Sequence, residues 1–107
     1  MPYSTELDSR ISSVVAKWNT TSKKMFGGTC RLLNGNMMCG VHKNSLILRI
    51  GEEEAERALR QTRVRAMDIT GKPMKGWVMV DEADLEGREL EIWLEKARRF
   101  AESLPPK

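Results

Sequence analysis

The sequence predicts an α+β fold: a two-layer sandwich of order α-β(3)-α-β(2)-α, with two long helices on one face of an antiparallel sheet. Three observations carry this. Residues 24–50 read as three strands joined by tight turns, the first of them at Asn34-Gly35, where both central residues of a type I′ turn need positive φ. Leu7, Ile11, Val14, Val15 and Trp18 form an apolar stripe at helical period. Leu90, Trp93, Leu94, Ala97, Phe100, Ala101 and Leu104 form a second one near the C-terminus. Two amphipathic helices need an apolar surface, and the sheet between them offers one.

Composition sets the outer limits. The 107 residues suit one domain able to bury a core without staples, and 31% charged with 40% hydrophobic residues argues against disorder. No run of about 18 apolar residues is present, so no membrane span is expected. The N-terminus lacks a basic-then-apolar leader pattern, which leaves the cytoplasm as the expected location. The net charge of +3 is unevenly spread: residues 1–50 carry seven Lys/Arg against two acidic residues, residues 51–107 eleven against thirteen. Such an excess permits nucleic-acid contact without requiring it.

Taken in order, the first helix has Ser4 or Thr5 as its cap, with Glu6 and Asp8 near the positive end of its dipole. Trp18 is expected as a core anchor, and Asn19-Thr20-Thr21-Ser22 as the lead into the sheet. Two-residue turns at Asn34-Gly35 and Lys43-Asn44 set a register: Leu32 opposite Met37, Arg31 opposite Met38, Cys30 opposite Cys39, Cys39 opposite Leu48, and Val41 opposite Leu46. With a side-chain period of two, Cys30, Leu32, Met37, Cys39, Val41, Leu46, Leu48 and Ile50 then share the buried face. Thr29, Arg31, Leu33, Met38, Ile47 and Arg49 share the other. Gly51-Glu52-Glu53-Glu54 opens a short helix to about Gln61, a connector along a sheet edge, its acids matching the helix dipole. Strands follow near Val64–Ile69 and Trp77–Val80, joined by the shaped loop Thr70-Gly71-Lys72-Pro73-Met74-Lys75-Gly76. The last helix runs from about Arg88 to Ser103, with Trp93 buried on the sheet, Glu95 and Arg99 paired outside, and Pro105-Pro106 as its stop.

Candidate sites are few. Two cysteines and one histidine raise a metal or thiol hypothesis, but Cys30 and Cys39 are expected in the core and His42 has the opposite strand parity. Three ligands on two faces build no tetrahedral zinc site, and a Cys–His nucleophile pair fails for the same reason. The two cysteines, expected to face each other, could form a disulfide, which a reducing cytoplasm would keep as thiols. No phosphate loop, nucleophile elbow or zinc-protease helix occurs, so no catalytic residue, cofactor or metal is assigned. Arg57, Arg60, Arg63 and Arg65, with Lys72 and Lys75, form a basic edge that reads either as solvated charge or as an anion or nucleic-acid contact. The open sheet face lacks the aromatics of an RNA-reading sheet. Arg31, Met38, Ile47 and Arg49 on that face form the candidate partner-binding row, arginines against a thioether, for self-association as a homodimer or for an acidic protein patch.

Several stretches carry a family likeness: Lys24-Met25-Phe26-Gly27-Gly28, Asn34-Gly35-Asn36-Met37, Arg49, Asp68-Ile69-Thr70-Gly71-Lys72-Pro73-Met74-Lys75-Gly76-Trp77 and Leu104-Pro105-Pro106-Lys107. In that order, over essentially the whole chain, they resemble the TfoX/Sxy N-terminal domain family. The resemblance implies a secretion-chaperone-like fold of the order already read from periodicity. It also implies a link to transcription, since two-domain members regulate natural competence as co-activators with the cyclic-AMP receptor protein. The chain departs from the family pattern at Leu32, usually aromatic, and at Cys30, usually glycine. A helical second domain is not expected within these 107 residues. The resulting expectation is a non-enzymatic regulatory or protein-interaction module. Direct nucleic-acid binding through the basic edge is the alternative, and an enzyme is the reading with least support.

Overall fold

A computed structural model describes residues 4–25, 28–68 and 71–106. It contains three α-helices and a six-stranded antiparallel sheet, the α+β class expected, with one strand more than the sequence announced. Helix α1 (Thr5–Val15) starts at Ser4, whose Oγ accepts the Leu7 N–H at 3.1 Å and donates to Glu82 Oε1 at 2.9 Å. Leu7, Ile11 and Val15 are buried on the sheet, as the stripe requires. Trp18, just past the end of α1, packs against the same core and is half-buried there; the Arg98 guanidinium lies 4.9 Å over its ring.

The strands are β1 (Thr21–Met25), β2 (Gly28–Leu33), β3 (Asn36–His42), β4 (Ser45–Arg49), β5 (Val64–Ala66) and β6 (Trp77–Asp81), in spatial order β1-β2-β3-β4-β6-β5. Strand β1 falls where a lead-in was expected. Its Thr-Ser-Lys-Lys run is exposed and shows no apolar alternation, which suits an edge strand guarded by lysines and hides it from periodicity. Asn34 and Gly35 both take positive φ (55° and 81°), as the hairpin turn requires. At the second turn it is Lys43 (φ 53°) that enters the left-handed region.

Between the two turns the register departs from the expected one. Leu33 opposite Asn36 and Leu32 opposite Met37 hold, but a bulge between Arg31 and Leu32 then places Arg31 opposite Cys39 and Cys30 opposite Gly40. Met38 is the extra residue. One inserted residue inverts everything beyond it on the partner strand. Leu33 therefore joins the helix-side core, and Thr29 and Arg31 reach α1, while Cys30 faces away. Met38 and Cys39 both lie in the helix-side core, as the two adjacent residues of a bulge can, and Met37 packs on the far side. Strand β4 keeps the expected faces, with Leu46 and Leu48 toward the helices and Ile47 away, anchored by Cys39–Leu48 and Val41–Leu46 pairing.

Helix α2 (Glu52–Ala58) buries Ala55 and Ala58, and α3 (Glu89–Glu102) buries Leu90, Trp93, Leu94, Ala97 and Ala101 against the same face. Helix α3's outer charges pair differently from expectation: Arg98, not Arg99, takes Glu95 at 3.0 Å and Glu102 at 3.4 Å. After α3, the buried Asn36 donates from Nδ2 to the Pro105 carbonyl at 2.9 Å and holds the chain end on the hairpin. No helix of the described residues is long and apolar enough to cross a membrane.

The far face of the sheet is not open. Ile47, Met67, Trp77 and Met79 form a second buried cluster, with Met37 and Met74 packed against it. Met67 and Met74, from the described parts of the stretch between β5 and β6, help make it, with the Met74 N–H bonded to the Met67 carbonyl (2.9 Å) and the Gly71 N–H to the Asp68 carbonyl (2.9 Å); residues 69–70 of the expected strand and loop lie outside the described residues. Four of the chain's seven methionines lie here, where unbranched, adaptable side chains fill an irregular layer under a loop.

Candidate functional site

The expected arginine row does not assemble. Arg31 lies on the helix side, where Nη2 donates to Asp8 Oδ1 at 3.0 Å and to Ser12 Oγ at 2.6 Å, and Thr29 Oγ1 reaches the same Asp8 oxygen at 2.6 Å. Met38 is fully buried among the helices and Ile47 is buried beneath the β5–β6 segment. Only Arg49 remains half-exposed on the far face, opposite Trp77 in the register. Its guanidinium lies 5.9 Å from the Trp77 ring centroid and 5.5 Å from that of Phe100, a cation held between two π faces. The bulge is the physical reason: it carries Arg31 and Met38 to the side already covered.

Half of the basic edge is paired with carboxylates. Arg57 pairs with Glu54 at 2.6 Å and Arg63 with Asp84 at 3.8 Å, while Arg65 pairs with Asp81 and donates to Ser45 Oγ at 2.9 Å. Arg60, Lys72 and Lys75 are exposed. β6 and the 3-10 turn at Glu82–Asp84 bring Asp81 and Asp84, distant in sequence, beside Arg65 and Arg63, while Arg57 is held by Glu54 on its own helix, so the six cations are not equally available.

Both cysteines are free thiols and both are buried, Cys39 in the helix-side core and Cys30 against Gly40 on the other side of the sheet. The facing pair expected for a disulfide is therefore not formed. Desolvation pushes the Cys30 thiol up to about 11 and the Cys39 thiol up to about 12, the latter opposed in part by the Arg31 charge. Thiols so sealed stay protonated and act as small hydrophobes. Half-buried His42 ends β3 opposite Ser45. Among the described residues no group of three or more His, Cys, Asp or Glu is placed to hold a metal ion.

A different feature emerges where α2 meets the segment before β6. The Gly76 carbonyl accepts the N–H groups of both Ile50 (2.9 Å) and Gly51 (3.1 Å), which ties that segment to the start of α2. Gly51 caps the helix at φ 89°, and a Cβ there would lie 2.9 Å from the Phe100 ring, so a residue without a side chain is needed. The clamp leaves a cleft of about 210 Å³ between the two elements. Ala55, Leu59, Pro73, Met74 and Trp77 supply its apolar walls, and Glu52, Glu56 and Lys75 its polar rim. Leu59 is 41% exposed there, one of two large hydrophobic residues left open among those described. Sequence reading did not bring these residues together. The available signal was Ala55 and Leu59 one turn apart on a helix that otherwise looks polar.

The family profile described as TfoX N-terminal domain matches residues 16–101. Neither the curated proteins nor the solved structures provide a match. The matched span runs from the end of α1 through nearly all of α3 and includes the sheet, the cleft and the Gly-Lys-Pro-Met-Lys-Gly-Trp segment. The chain belongs to the TfoX N-terminal domain family.

Proposed function

We propose that the protein is a non-enzymatic regulatory module that acts by binding a protein partner, in a setting linked to transcription or competence. Membership of the TfoX N-terminal domain family is the observation that carries this reading. The side-chain chemistry supports it. Both cysteines are buried with their thiols' pKa raised, and three of the four basic-edge arginines already hold carboxylates. An exposed apolar cleft with a charged rim is, by contrast, the usual form of a side-chain-accepting interface.

The deciding experiment is capture of cross-linked complexes from the native host by the tagged full chain, paired with anisotropy titration of a mixed-sequence DNA duplex. A discrete protein partner, with DNA affinity no better than millimolar, is the expected outcome. DNA binding in the micromolar range that falls steeply with salt would instead favour the nucleic-acid reading, because phosphate contacts release counterions.

A further inference from the structure

We infer that the cleft between α2 and the 73–77 segment receives an arginine side chain from the partner. The inference rests on the interaction-module reading above and specifies the partner's chemistry. At about 210 Å³ the cleft falls below the roughly 300–1,000 Å³ of typical small-molecule sites, a scale that suits one inserted side chain.

Its charges select which one. Glu54, on the same helix, is occupied by Arg57 and Lys96. Glu52 and Glu56 line the cleft, are exposed, and take part in no ion pair among the described residues. They stand one helical turn apart, so their carboxylates rise from the same side of α2. Lys75 is the single opposing charge, which leaves the lining net acidic. An aliphatic anchor would fill the apolar walls but strip water from two carboxylates with nothing in exchange. An acidic side chain would meet repulsion. Lysine would bring one compact charge, whereas arginine brings a planar fork able to serve two carboxylates, on a stem and face that pack against Met74 and Trp77.

The probe is Nα-acetyl-L-arginine methylamide, titrated into the 15N-labelled full chain beside the matching lysine, norleucine and glutamate amides. The expected result is saturable shifts at the Trp77 indole N–H and the Ala55 and Gly76 amides, with arginine at least about tenfold tighter than norleucine, a difference of about 1.4 kcal/mol. Glu52→Gln with Glu56→Gln, both at exposed positions, should erase that preference while leaving the rest of the spectrum in place. Norleucine or glutamate binding as well as arginine, shifts centred elsewhere, or no saturable shift would each overturn the inference. Host capture separates the two levels. If the double variant retains the captured partner and the amide titration fails, the cleft assignment falls and the interaction reading stands. If arginine saturates the cleft but no protein is captured, the interaction reading falls instead.

Discussion

Arg31 on β2 and Asp8 on α1 form a 3.0 Å ion pair in which both side chains are mostly buried, at 15% and 23% exposure. The pair is part of a small network, since the same arginine nitrogen reaches Ser12 and the same carboxylate oxygen accepts from Thr29. It joins helix to sheet at the point where the bulge has turned β2 over. The Arg31 Nε is buried without a hydrogen-bond partner, so the guanidinium is held by one end only.

Removing either member should therefore destabilise the fold. Arg31→Ala should cost about 2–4 kcal/mol, because Asp8 would remain partly buried with only Thr29 as a donor. Asp8→Ala should cost a similar amount, and the double variant less than the sum, with a coupling of about 1–3 kcal/mol. Urea unfolding at constant m-value measures all three. Single variants within about 0.5 kcal/mol of the parent, the range of ordinary surface changes, would show that this pair does not anchor α1.

Gly40 is a packing requirement of the bulged register. A Cβ there would stand 2.8 Å from Cys30 Sγ and 2.8 Å from the Thr29 carbonyl oxygen. Gly40→Ala should cost about 1–3 kcal/mol through forced displacement of β2. Adding Cys30→Ala should restore only part of that, since the backbone oxygen stays where it is. Full restoration in the double variant, read from the unfolding midpoint, would mean that the sulfur alone sets the constraint.

The thiols give the fold an alkaline limit. Their folded pKa values, about 11 and 12, lie above the ordinary value of 9.0. Below pH 9 both states bind the protons equally and the full stability is present. As pH rises through 9 the unfolded chain ionises while the folded chain does not, so stability falls up to about pH 11–12. Urea midpoints from pH 8 to 11 should decline more steeply for the parent than for a Cys30→Ala, Cys39→Ala chain. Parallel profiles would argue that the thiols are not desolvated. At pH 8 the folded protein should also leave a thiol reagent unreacted until denaturant is added.

Local pattern was enough to place the helices, the two turns and the β4 faces. Leu7, Ile11 and Val15 repeat at a period only a helix satisfies, and Asn34-Gly35 names its own turn because few residue pairs tolerate positive φ twice. What pattern could not supply was the interval between the turns. A bulge breaks the in–out alternation at one residue, here leaving Met38 and Cys39 on the same side, and no turn residue or change of composition marks where it falls. Strict alternation therefore puts β2 upside down and gathers Arg31, Met38, Ile47 and Arg49 on one surface, whereas the fold disperses them. Strand β1 leaves no signal in the sequence, because a lysine-guarded edge needs no apolar period. The Glu52–Glu56 rim and the Trp77 wall became a cleft only through Gly76, whose carbonyl gathers two N–H groups from the start of α2. Such pairings across the chain are set by tertiary packing, since each residue's own preferences are satisfied equally well without them.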